Sequence, residues 1–184
     1  MKKTLITCFC LALFGVFARA QGWIQTYGGP DTVLSGHLQG VLHYGAIAMP
    51  AIDGNIMLAG WGRDQSNPGS KADFFLLKTN DQGEEIWRRF YGDIEKNDFC
   101  YAAKELPDGG YVLAGRTSLT DFTTANRADM VILRTNSSGE LIWKKQFNFG
   151  NSNYDEIYDV APTADGGFAC AGRIKDAIDN QNGT

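Results

Sequence analysis

Cysteine and histidine are scarce in this chain, with four and two residues among 184. Cys8 and Cys10 fall in the first twenty residues, so Cys100 and Cys170 are the only cysteines beyond them. Two distant cysteines exclude a small scaffold stapled by disulfides, and stability has to come from an apolar core. His37 and His43 have no further Cys, His or carboxylate at metal-ligand spacing, which argues against a zinc site. "SGH" at 35–37 stands alone, so no Ser-His-Asp order can be read and no catalytic residue is assigned. Nothing calls for a cofactor. Beyond residue 20 no apolar run approaches the roughly 20 residues a helix needs to cross a bilayer, so no transmembrane segment is expected.

The first twenty residues read as an export signal. Lys2 and Lys3 form a basic start, an apolar stretch runs from Leu5 to Phe17, and Ala18-Arg19-Ala20 places small residues where a signal peptidase inspects them. Cleavage near Ala20 would leave Gln21 first. It would also remove Lys2, Lys3 and Arg19, leaving 14 basic against 21 acidic residues, a net charge of −7. That sign argues against nucleic acid as a partner. The expected location is outside the inner membrane: extracellular, on the cell surface or periplasmic.

Self-similarity is the strongest signal in the remainder. "LPDGGYVLAGR" at 106–116 has relatives at 51–61 ("AIDGNIMLAGW") and 163–173 ("TADGGFACAGR"), which places Asp53, Asp108 and Asp165 55 and 57 residues apart. "KADFFLLKTNDQGEEIWRRF" at 71–90 returns at 127–147. Asp73 and Asp129, Gly83 and Gly139, and Trp87 and Trp143 are each separated by 56. Landmarks sharing one period define a repeat array.

Each unit reads as four short strands. Asp108-Gly109 is suited to the positive φ angles of a tight hairpin, and Gly139 to the left-handed position of a longer turn. "DFFLLK" and "DMVILR" are continuous apolar runs, so their strands are expected to be buried on both faces, between similar sheets. That is the situation of a β-propeller blade, and the fold class expected is an all-β propeller of four-stranded antiparallel blades.

The set "DGG[YF]xxAGR", "AD[FM][FV][LI]LK/RTN" and G-x-x-x-W resembles the propeller repeats of secreted bacterial proteins of the Bacteroidetes type. The strand order is also similar to quinoprotein (PQQ-type) propellers. The resemblance covers residues 22–184 and implies a propeller fold and export, in some relatives with a type IX sorting domain; nothing resembling that domain is present here. It implies little about activity.

The repeat register divides 21–184 into a closing outer strand (22–29, with Trp23 matching Trp87), a blade at 41–93, a second at 97–149 and a half blade at 154–184. Two and a half blades fall short of the four to eight that close a ring. The expectation is a fragment of a longer protein, or a protomer whose remaining blades come from another chain.

Several features invite a sharper reading. Gly110–Thr117 reads G-x-x-x-x-G-R-T, one residue from a phosphate-binding loop, but Tyr-Val-Leu-Ala between the glycines are strand formers, so it reads as structure. Asp98 and Asp155 each lie ten residues before the hairpin Asp, and one acid per repeat suits ties between blades better than a catalytic pair. Trp87 and Trp143 read as packing anchors, while Trp61 and Tyr154 stand outside the register as candidate ligand contacts. Cys100 aligns with Ile157, and Cys170 with Leu113, which makes both buried hydrophobes. Arg116 is expected where its strand leaves the core. The sequons at Asn136 and Asn182 matter only in a glycosylating pathway.

The functional expectation is a secreted, non-enzymatic scaffold that binds a surface glycan or protein through the variable loops 62–72 and 118–128. Two alternatives remain: the N-terminal part of an exported carbohydrate-active enzyme or PQQ-type oxidoreductase, and a structural module of a large adhesin.

Overall fold

A computed structural model describes residues 4–9, 19–24, 43–64, 69, 71–118, 128–149 and 154–175. Twelve β-strands and no helix are found among them. β1 (Thr4–Phe9) and β2 (Arg19–Ile24) pair as an antiparallel hairpin, so in the uncut chain the backbone around Trp23 pairs with part of the expected signal. The first sheet holds β3 (His43–Pro50), β4 (Ile56–Gly62), β5 (Asp73–Thr79) and β6 (Glu85–Tyr91) in sequence order. The second repeats that meander with β7 (Asn97–Glu105), β8 (Tyr111–Ser118), β9 (Asp129–Thr135) and β10 (Leu141–Phe147). β11 (Tyr154–Pro162) and β12 (Phe168–Lys175) form a third, two-stranded sheet. All pairing is antiparallel, and the described residues form no closed ring. No helix among the described residues is long and apolar enough to cross a membrane.

The second sheet is covered on both faces, which explains its unbroken apolar strands. Leu113, Val131 and Leu133 face the first sheet and join a core with Met57, Phe74, Leu76 and Tyr91. Their neighbours Val112, Ala114 and Ile132 face the third sheet and pack with Ile157 and Val160. Side chains on a strand alternate between faces, so successive apolar residues feed two different cores. Every residue of β5 is buried too. Each fully buried Leu, Ile or Val in this stack contributes about 1.5–3 kcal/mol of transfer free energy.

The turns follow from local chemistry. Leu106 C=O accepts from Gly109 N–H (2.8 Å), and the loop closes with Leu106 N–H donating to Gly110 C=O. Only the glycine takes a positive φ (76°); Asp108 instead accepts the Gly110 N–H on Oδ1 (3.0 Å). The hairpin is therefore a turn with a glycine bulge rather than a two-residue loop with both φ angles positive. At the other hairpin, Asn80 Oδ1 accepts from Gln82 and Glu84 N–H, and Asn136 does the same for Ser138 and Glu140. Gly83 and Gly139 (both φ 74°) complete these turns, which is the structural role of the Asn136 position.

Gly115 and Gly172 allow close backbone approach within their own sheet: a Cβ at Gly115 would lie 1.9 Å from Phe99 O, and one at Gly172 2.0 Å from Glu156 O. Each stands opposite a bulge in the preceding strand, between Cys100 and Ala102 or between Ile157 and Asp159. Cys100 is fully buried as expected, its thiol pushed up to about 12 by desolvation. Cys170, however, is exposed. Leu113 is enclosed because β9 flanks it, whereas no described strand pairs with the outer side of β12.

Candidate functional site

The sheets are joined by contacts that recur once per repeat, and these account for most of the repeat positions. Asp98 N–H donates to Ala72 C=O (2.5 Å), and Asp155 N–H donates to Ala128 C=O (2.9 Å), tying each sheet to the one before. Both aspartates are fully buried. Asp98 Oδ2 also accepts from Asp93 N–H and from Lys144 Nζ (3.1 Å). Asp73 lies against Gly92, where a Cβ would fall 1.9 Å from its Oδ1 and 2.9 Å from Asp98 Oδ2. Asp129 accepts from the Gln146 amide. Asp53 pairs with Lys78 and Asp108 with Arg134, both at 2.6 Å, while Asp165 accepts from Gly167 N–H. Hydrogen bonds hold the Asp53, Asp108 and Asp165 carboxyls below the usual range, led respectively by those from Lys78, Gly110 and Thr163. The carboxylates of Asp53, Asp98, Asp108, Asp129 and Asp165 are thus engaged in structural contacts.

The tryptophans bridge successive sheets as half-buried anchors. Trp87 meets Tyr111 edge-on at 6.2 Å, and Trp143 meets Phe168 at 5.9 Å. Gly139 sits beneath the Trp87 ring, where a Cβ would lie 2.8 Å from it.

One departure from repetition lies at one end of the sheets. Strands β4 and β8 end there, at the base of the variable loops 62–72 and 118–128. Trp61, Arg116 and Arg173 occupy one repeat position, and their side chains differ. Trp61 packs edge-on against Phe99 (4.9 Å, 84°), and the Arg116 guanidinium lies 4.6 Å from the centroid of the same Phe99 ring. Arg116 Nε donates to Tyr101 OH (2.9 Å) and pairs with Glu156 Oε1 (3.2 Å). Glu156 Oε2 accepts from Arg173 (2.7 Å) and from Tyr158 OH. The Tyr101 and Tyr158 rings stand 5.9 Å apart. Arg116 is therefore buried between two sheets (9% exposed) instead of marking an exit from the core.

This row runs from a buried aromatic foot (Phe99) to an exposed rim (Tyr158 and Arg173). Burial is the main cause that raises the Tyr101 phenol; the Glu156 hydrogen bond is the main cause at Tyr158. With Glu156 held by three donors, its carboxylate is fixed in place. What the rim offers a ligand is an aromatic face beside a guanidinium, a combination that binds through stacking and hydrogen bonding.

Sequence reasoning singled out Trp61 but missed Tyr101, Glu156, Tyr158 and Arg173. The signal was available: Glu156 stands where the preceding repeat has Phe99, a buried charge in an apolar slot. The side chain of Tyr154, the Trp23 side chain, residues 25–29, His37, Asn182 and the loop tips 65–68 and 119–127 lie outside the described residues. Among the described residues no group of three or more His, Cys, Asp or Glu could hold a metal ion.

Fold and site together define an all-β protein of repeated antiparallel sheets, stacked face to face. No protein-family model and no curated protein matches the chain.

Proposed function

We propose that this chain is a secreted, non-enzymatic scaffold of β-propeller type that binds a surface glycan or surface protein at the variable-loop end. The observation that carries the reading is the Tyr101–Arg116–Glu156–Tyr158–Arg173 row, which breaks the repeat where the variable loops begin and ends on an exposed aromatic–guanidinium rim. Two four-stranded meanders and a further strand pair, joined by the same backbone and tryptophan contacts, support reading the sheets as blades. Rigid repeats that carry specificity in loops at one end suit recognition.

A binding screen of the exported protein against immobilised glycans and surface proteins tests this. Tyr158→Ala and Arg173→Ala are expected to weaken the captured interaction by about tenfold or more, the size of one good aromatic or charge-assisted contact. Binding untouched by both substitutions would move the site elsewhere.

A further inference from the structure

The opposite end of the stack, where the tight hairpins lie, carries a second departure from repetition. Between the first and second sheets a polar chain closes the interface. Lys78 Nζ binds Asp53 (2.6 Å) and lies 3.4 Å from Tyr111 OH; Tyr111 OH donates to Glu105 Oε1 (3.3 Å); Glu105 Oε2 accepts from Ile52 N–H (2.7 Å). One interface further on, the equivalents of Ile52, Glu105 and Tyr111 are Pro107, Pro162 and Phe168. Three replacements delete the backbone donor, the carboxylate and the phenol together. A groove of about 300 Å³ lies there, lined by Leu106, Pro107, Asp108, Arg134, Pro162 and Phe168, among others.

Only the ion pair is retained from that network. Arg134 stands in for Lys78 and pairs with Asp108 at 2.6 Å, both side chains partly exposed. Its Nε is buried and has no hydrogen-bond partner among the described residues. A buried N–H donor without an acceptor is costly, and a bound acceptor would remove that cost. Because Asp108 neutralises the guanidinium, the groove favours an uncharged ligand. It offers a donor and an acceptor side by side next to an aromatic ring and two prolines. Its volume is at the small end of the range that holds small ligands.

We infer that this groove binds one neutral hexopyranose unit of a glycan. The apolar face of the sugar packs on Phe168, and adjacent hydroxyls engage Arg134 and Asp108. The site lies at the end opposite the Tyr158 rim and does not depend on it.

Amide and arginine side-chain NMR of the labelled protein, titrated with glucose, galactose and mannose, tests the inference. At least one sugar is expected to shift Gly110, Gly166, Gly167 and the Arg134 Nε–H signal. Arg134→Lys keeps the charge and is expected to weaken that binding about tenfold, the loss of one good hydrogen-bonded contact. The double substitution Pro162→Glu with Phe168→Tyr rebuilds part of the closed network and is expected to abolish it in a folded protein. The inference is overturned if no neutral hexose moves these signals, if Arg134→Lys binds as well as the parent, or if the shifts fall only at Tyr101 and Tyr158. It is equally overturned if only an acidic sugar or a proline-rich peptide shifts the groove.

Discussion

Trp143 meets Phe168 edge-on, with centroids 5.9 Å apart and planes at 64°, in the same way that Trp87 meets Tyr111 one repeat earlier. In both described cases an outer-strand tryptophan covers the second strand of the next sheet. Trp87→Ala should open a void between the first two sheets and cost about 2–4 kcal/mol, somewhat below a fully buried tryptophan. Trp87→Phe should lose about half as much, since a smaller ring still covers Tyr111. Urea unfolding compares the two. Equal midpoints for parent and Trp87→Ala would remove the tryptophan as an anchor between sheets.

Gly115 and Gly166 separate two reasons for glycine. Gly166 has a positive φ (80°) but open space around its missing side chain, so Gly166→Ala should cost only about 1 kcal/mol of backbone strain. Gly115 has no such φ, yet its Cβ would collide with the Phe99 carbonyl at 1.9 Å. Backbone cannot yield as a flexible side chain does, and Gly115→Ala should cost upwards of about 3 kcal/mol or prevent folding. Thermal denaturation of both variants checks the ranking, and a reversed order would contradict the bulge geometry.

Cys170 and Cys100 should differ sharply toward a maleimide. Cys170 is exposed, while Cys100 is fully buried with its thiol raised to about 12. Peptide mapping of native protein should find the adduct on Cys170 and none on Cys100 until denaturant is added. Modification of both at equal rates would place Cys100 outside the core.

Stability should hold across a broad middle range of pH and fall at both ends. Burial leads the causes that raise the phenols of Tyr91, Tyr101 and Tyr111, and the Glu156 hydrogen bond leads at Tyr158. A raised folded value favours the protonated form, so this contribution is complete below the ordinary 10.0 and is lost as pH climbs through the folded values. The carboxyls of Asp53 and Asp108 move the other way. Their contribution is present above 3.8 and disappears as pH falls below it. Urea midpoints measured against pH, with tyrosinate absorbance on the alkaline side, test both limbs. Tyr158→Phe should soften the alkaline limb; an unchanged limb would separate it from Glu156.

Local and periodic features were legible in the sequence. The 55–57-residue spacing of Asp53, Asp108 and Asp165 gave the strand order, because each turn is built from neighbours such as Asp108 and Gly110. "DMVILR" announced a two-sided core, because alternate residues of one strand must face different sheets. Arg116 was misread because its partner Glu156 is forty residues away, and composition around an arginine does not reveal a distant carboxylate. Cys170 was misread because alignment with Leu113 sets the direction a side chain faces but not what covers it.

The Arg116–Glu156 pair yields the test that separates a structural role from a recognition role. Both side chains are nearly excluded from solvent, 11% and 7% exposed, so Glu156→Leu takes the carboxylate from a buried guanidinium, whereas Arg116→Met leaves Glu156 its bonds from Arg173 and Tyr158. Glu156→Leu alone should cost about 3–5 kcal/mol, and Arg116→Met less. The double substitution should cost much less than the sum, because two apolar side chains can fill the slot without an unpaired charge. Glu156 also orders Tyr158 and Arg173, so the double variant should fold stably and yet lose any ligand held at the rim. Chemical denaturation of the four proteins gives the coupling energy. Additivity within about 0.5 kcal/mol would mean that the pair is not coupled. Retained binding in a stable double variant would show that the buried pair serves only to join the sheets.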